Sequence, residues 1–139
     1  MNWLSYFFFY TYIGLVLIAG IWGAFINPYF DFRLLFHMDP YSLTEYSRIN
    51  AISQYRFLRA LELGYGLFSI LFVRQIFAEK TFNRLFLIIM GSGILARIFS
   101  LLFDGIPSPL FIFFLIYEFS GLIVIYSYTN KKIAPVNAS

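Results

Sequence analysis

The chain has 139 residues, 60 % of them hydrophobic and only 12 % charged, with a formal net charge of +3. A soluble domain carries about 25 % charged residues. A chain this short cannot hide so much apolar surface in a water-soluble core, so lipid has to be the solvent for most of it. Ten basic residues dispersed among apolar stretches make no nucleic-acid face; in a membrane chain they act as orientation signals and as contacts with anionic lipid. There is no cysteine and a single histidine, His37. Disulfides, thiolate metal sites, iron–sulfur clusters and covalent haem attachment are excluded, as are two-histidine haem ligation and a histidine-rich zinc site within one chain.

The first predicted span runs from about Trp3 to Ile26, without a charged side chain, and exceeds the ~20 residues that cross the hydrocarbon. No Lys or Arg precedes it and its apolar run is longer than the ~7–15 residues of a signal core, so it is expected to be retained rather than cleaved. Pro28 is expected to end it. A polar outer connection over about 27–54 follows, with Asp31, Arg33, His37 and Asp39. Within it Ser42-Leu-Thr-Glu45 has the form of a capping box that starts a second helix. The helical pattern then runs to about Ala78, roughly 54 Å at ~1.5 Å per residue. That is more than the ~30 Å hydrocarbon core, so residues 43–54 project and the span proper is 55–77. Glu79-Lys80-Thr81 is a turn. The third span covers 82–103 and stops at Asp104-Gly105-Ile106-Pro107. Ser108 and Pro109 have the character of an N-cap and first helical residue for a fourth span over 110–128, with a polar tail from Lys131 to Ser139. The predicted fold is therefore all-α: a polytopic, antiparallel four-transmembrane-helix bundle forming a single membrane domain over residues 1–139.

With four spans, the N-terminus, the second connection and the C-terminus share one side. That side holds Arg74, Lys80, Arg84, Lys131 and Lys132; the other holds Arg33, Arg48 and Arg56, offset by Asp31, Asp39 and Glu45. The bias places both termini in the cytoplasm. Trp3, Tyr6, Tyr126 and Tyr128 are expected in the inner aromatic belt and Trp22, Tyr29 and Tyr55 in the outer one.

Five ionisable residues fall inside or at the edges of the spans: Arg59, Glu62, Arg97, Asp104 and Glu118. Each charge at a span centre costs roughly 2.5–3.5 kcal/mol, so such residues turn inward and find partners. Arg59, Glu62 and Gly66 share one face of the second helix, Gly93, Arg97, Ser100 and Asp104 one face of the third, and Glu118 and Gly121 one face of the fourth. Gly66, Gly93 and Gly121 are the expected close-packing positions. One cluster in the outer half could hold all five charges. Such a cluster is either interhelical glue or a polar cavity that binds a guest or relays protons. Fully ionised it carries −1, which leaves room for a protonated carboxyl, with Glu118 the candidate, or for a cationic guest. Gly14, Gly20 and Gly23 read as packing residues, and His37 as a solvated loop residue. No phosphate loop, metal-ligand motif or nucleophile–base pair is present.

At Arg59-Ala60, Gly64-Tyr-Gly66, Ala96-Arg97-Ile-Phe-Ser100-Leu-Leu-Phe-Asp104-Gly105-Ile-Pro107 and Glu118 the chain resembles a small bacterial four-helix membrane family, the domain of unknown function numbered forty-three forty-five. Its pattern has Gly-Gly where this chain has Gly-Tyr-Gly. The resemblance spans the second to fourth helices and implies a bundle in the bacterial inner membrane, with no established activity. A looser likeness to DoxX-type proteins, some linked to quinone chemistry, is architectural.

The leading expectation is a protein that binds a lipid-like or quinone-like molecule. Arg59 and Arg97 would hold its head, balanced by Glu62, Asp104 and Glu118, with Ser100 beside them. The alternatives are an accessory subunit of a membrane complex, paired with other membrane proteins or with copies of itself, and a small transporter or proton relay. No cofactor, metal or nucleic-acid partner is expected, and the reading leans against an enzyme.

Overall fold

A computed structural model describes residues 2–133. Six α-helices lie among them: α1 (Asn2–Ile21), α2 (Pro28–Phe36), α3 (Glu45–Leu71), α4 (Val73–Ala78), α5 (Lys80–Phe103) and α6 (Pro109–Ile133). The chain is all-α. Three stretches are long and apolar enough to cross a membrane: Asn2–Ile26, Lys80–Phe103 and Pro109–Ile133. Together with the composition they make this a membrane protein. α3 is not one of the three, and its sequence says why. It carries Arg48, Arg56, Arg59 and Glu62, and only Leu63 to Leu71 follow without a charge, about 14 Å of helix.

The chain divides into two compact units, Met1–Tyr12 with Leu71–Ser139, and Ile13–Ile70; α1 contributes to both. The core of the first unit is aromatic. The buried rings of Phe9 and Phe77 meet edge to face at 5.3 Å between centroids, Phe9 and Phe86 lie 5.2 Å apart, and Tyr6 stacks on Phe77 at 4.2 Å. Such pairs add to area burial because ring edges and faces carry opposite partial charge. Buried Asn83 donates its Nδ2 to the Ile76 carbonyl at 3.0 Å, which fastens α5 to α4 across the single extended residue Glu79. A break at Phe72 separates α3 from α4; no proline or glycine marks it. Gly105, at φ +111°, makes the turn that a side chain would resist and returns α6 alongside α5. The expected tail begins later than predicted, because α6 continues through Lys131 and Lys132 to Ile133; residues 134–139 of that tail lie outside the described residues.

In the second unit three expectations are corrected. Pro28 does not simply end the first helix. α1 closes with a π-helical turn, Trp22–Ile26, and Pro28 is then the first residue of α2, capped by Asn27, whose side chain accepts from the Phe30 amide at 3.1 Å. The polar connection expected ahead of the second helix therefore contains α2, while the helix expected in the later part of 27–54 is present as α3. Ser42 is not the cap of α3. It ends a 3₁₀ turn over Pro40–Ser42, its hydroxyl donates to the Asp39 carbonyl at 2.6 Å, and Leu43 is extended. Thr44 takes the capping role, its Oγ1 accepting from the Ser47 amide at 3.3 Å. His37 is exposed, as a loop residue would be, and caps α2 in the left-handed conformation at φ 52°.

Candidate functional site

Apart from the exposed Arg33–Asp39 pair, two ionic sets lie among the described residues, one within each unit. The first starts from the π-helical turn and α2. Asn27-Pro28 opens α2 so that Pro28, Asp31 and Phe32 lie on its buried face. The Tyr55 hydroxyl donates to Asp31 Oδ2 at 2.7 Å and accepts from Arg59 Nε at 2.8 Å. Arg59 Nη1 donates to Glu62 Oε2 at 2.6 Å, and Arg59 Nε lies 3.9 Å from Asp31 Oδ2. The guanidinium also lies over the Tyr55 ring, 5.1 Å from its centroid. Gly23 makes room for this side chain: a Cβ there would stand 2.6 Å from Arg59 Cγ. One turn earlier in α3, Arg56 Nη1 donates to the Ala24 carbonyl at 2.6 Å, satisfying one of the acceptors that a helix end leaves open. Asp31 and Arg59 side chains are 9 % and 16 % exposed, Glu62 46 %, so the set is a buried, mutually satisfied network with one end at the surface.

The second set lies between α5 and α6. Arg97 Nε donates to Glu118 Oε2 at 3.1 Å, with side chains 36 % and 16 % exposed. Arg97, Ser100 and Leu101 are at i, i+3 and i+4 on α5 and line a cavity of ≈ 210 Å³ together with Pro107, Phe111, Ile112 and Leu115. Phe111, Leu115 and Glu118 stand at i, i+4 and i+7, one face of α6. The Arg97 guanidinium lies 5.9 Å from the Phe111 ring centroid. Among the described residues it makes one hydrogen bond, through Nε, although a guanidinium carries five N–H donors. The cavity thus joins a partly satisfied cation to a wall that is otherwise apolar except for Ser100.

The structure pairs Arg59 with Glu62 and Arg97 with Glu118. Asp104 is exposed, where its backbone N–H caps α5 on the Ser100 carbonyl at 2.8 Å. Gly66 packs closely, with a Cβ there reaching Leu17 Cδ2 at 2.7 Å, and Gly121 meets Phe8 Cδ1 at 3.2 Å; Gly93 is the exception, since a Cβ would meet nothing within 4 Å. Of the other expected packing glycines, Gly20 of α1 and Gly23 of the π-helical turn are in close contact and Gly14 of α1 is not. Asp31 and Tyr55 were absent from the predicted site, and Tyr55 was assigned to an aromatic belt. The signal for Asp31 is Asn27-Pro28, the same cap-and-proline pattern that marks Ser108-Pro109. Read as a helix start, it puts Asp31 one turn on and beside Phe32, on a face. Among the described residues no group of three or more His, Asp or Glu side chains is placed to hold a metal ion.

The family model of the domain of unknown function DUF4345 matches residues 3–129. The chain belongs to this family. The DUF4345 match extends beyond α3, α5 and α6, which carry the motif residues; it takes in α1, the π-helical turn and α2, and so includes Asp31 and Gly23 as well as Arg97 and Glu118. No curated protein and no solved structure matches this DUF4345 chain.

Proposed function

We propose that this protein crosses the bacterial inner membrane four times, with both termini in the cytoplasm, and binds the polar head of a lipid-like or quinone-like molecule at Arg97. The observation that carries the reading is the single hydrogen bond of Arg97 beside a cavity with apolar walls. A guanidinium in a low-dielectric setting keeps its unused N–H donors for a carbonyl or an anion. The ≈ 210 Å³ cavity is smaller than the ~300–1,000 Å³ typical of whole-ligand pockets, so it suits a head whose tail leaves along the apolar wall formed by Phe111, Ile112 and Leu115.

Two features support four crossings and this orientation. Arg56, Arg59 and Glu62, the α3 charges nearest its apolar end, are satisfied by the Ala24 carbonyl, Tyr55 and one another, which lowers the cost of placing that helix in lipid. Of the basic residues assigned outside, Arg33 is paired with Asp39 and Arg56 is bound to Ala24. The five assigned inside, Arg74, Lys80, Arg84, Lys131 and Lys132, have no ion-pair partner among the described residues, so their charge remains available as a cytoplasmic signal.

The test is native mass spectrometry of the wild type and of Arg97→Met combined with Glu118→Leu. Exchanging a whole ion pair for well-packed apolar groups is often neutral for stability, so the double variant should fold and insert. The wild type is expected to retain an amphipathic molecule and the variant to lose it. Equal retention, or none in either, would overturn the binding reading in favour of an accessory subunit of a membrane complex or a small transporter.

A further inference from the structure

At the opposite end of the α5–α6 pair from Arg97 is a second concavity, a groove of ≈ 320 Å³ lined by Arg84, Leu87 and Ile88 from α5 and Leu122, Ile123 and Tyr126 from α6. The lining is at i, i+3 and i+4 on α5 and at i, i+1 and i+4 on α6, so each helix contributes one face. Ile88 is 67 % exposed and Tyr126 54 %, in keeping with an unfilled apolar trough. Arg84 is exposed and has no ion-pair partner among the described residues. The same unit places Arg74 on α4, Lys80 at the start of α5 and Lys131 and Lys132 in the last turn of α6, with Glu79 the acidic residue among them. None of those cations has an ion-pair partner among the described residues either. An apolar trough with an unneutralised cation at its rim, on a helix pair of membrane-spanning length, has the chemistry of one occupant: a phospholipid with an anionic headgroup.

We propose that the Arg84 groove is a binding site for an anionic phospholipid of the surrounding bilayer. The headgroup phosphate sits on the Arg84 guanidinium and one acyl chain lies across Ile88 and Ile123. Tyr126 borders the groove, where its ring packs on the chain and its hydroxyl can reach the headgroup region. A basic side chain near the cytoplasmic surface favours anionic lipid by roughly 1 kcal/mol, which corresponds to about a fivefold preference from Arg84, the cation that lines the groove. The site shares no lining residue with the cavity at Arg97.

The test uses the full chain in detergent with equal amounts of phosphatidylglycerol and phosphatidylcholine, read by native mass spectrometry. The wild type should retain phosphatidylglycerol about five times more than phosphatidylcholine. Arg84→Gln should bring the ratio close to one, Arg74→Gln should leave it near the wild-type value, and Ile123→Trp, which fills the trough, should lower retention of both lipids. Arg84 is exposed and unpaired, so its variant is expected to fold, and an unchanged melting temperature without added lipid checks this. An unchanged ratio in Arg84→Gln would overturn the site. So would an Ile123→Trp variant that retains both lipids as the wild type does, because the lipid would then be held by surface charge alone.

Discussion

Arg97 and Arg59 are both arginines on helices facing carboxylates, yet their surroundings differ in kind. Arg59 is wrapped by Tyr55, Glu62 and the space left by Gly23, whereas Arg97 keeps most of its donors beside a cavity. The first is a fastening and the second is the site we propose. Tyr55→Phe should therefore reduce stability by about 1–3 kcal/mol, since it leaves the buried Asp31 without its 2.7 Å donor and an unmet buried polar group costs about that much; thermal melts in detergent check it, and an unchanged melting temperature would show that Asp31 is satisfied otherwise. Glycines give a second contrast. A Cβ at Gly20 would lie 2.9 Å from the backbone N of Leu63, and backbone cannot move aside cheaply, so Gly20→Ala should lower stability by about 1–3 kcal/mol. Gly93→Ala should be neutral or slightly stabilising, because nothing stands within 4 Å and alanine favours helix by about 1 kcal/mol. Spacing placed Arg97 and Glu118 among five charges that had to find partners, without singling out this pair. It did not expose Asp31, whose burial depends on where α2 begins, nor the emptiness around Gly93, because a glycine's spacing says nothing about what faces it.

Among the elements, the three apolar helices were readable because an unbroken hydrophobic run leaves no alternative to a long helix. The region from Asn27 to Thr44 was not, because it alternates apolar and charged residues without a clear period and its structure is decided by caps. Asn27, Asp39 and Thr44 each accept a backbone N–H through the side chain, and each starts a helical segment. The helix α2 should accordingly depend on its cap. Asn27→Ala removes the bond to the Phe30 amide and should destabilise α2 by about 1 kcal/mol. Amide hydrogen exchange would show this as faster exchange over residues 30–33 with none in α5; unchanged protection of α2 would mean that its packing on Tyr55, through Phe32 at 5.1 Å, carries it alone. The break at Phe72 had no sequence signal of any kind, and the mixed composition of α3 hid its length as a helix less than its place relative to the bilayer.

For the whole molecule, the intramembrane charges divide between a mutually satisfied network around Arg59 and the Arg97 cavity that is proposed to bind a guest. The absence of cysteine makes its topology directly measurable, since any introduced thiol is unique. In intact cells a membrane-impermeant maleimide should label Thr44→Cys, and should label Glu79→Cys only after permeabilisation; the reverse pattern would invert the proposed orientation, and labelling of both without permeabilisation would remove α3 as a span. The most direct measurement of the central claim is an experimental density map of the protein in lipid. The account predicts an elongated density between α5 and α6 whose polar end lies within about 3 Å of an Arg97 Nη atom, the reach of a hydrogen bond, and whose tail follows the apolar wall past Phe111. A map in which that cavity is closed by its own side chains, with the Arg97 guanidinium fully engaged by protein groups, would contradict it.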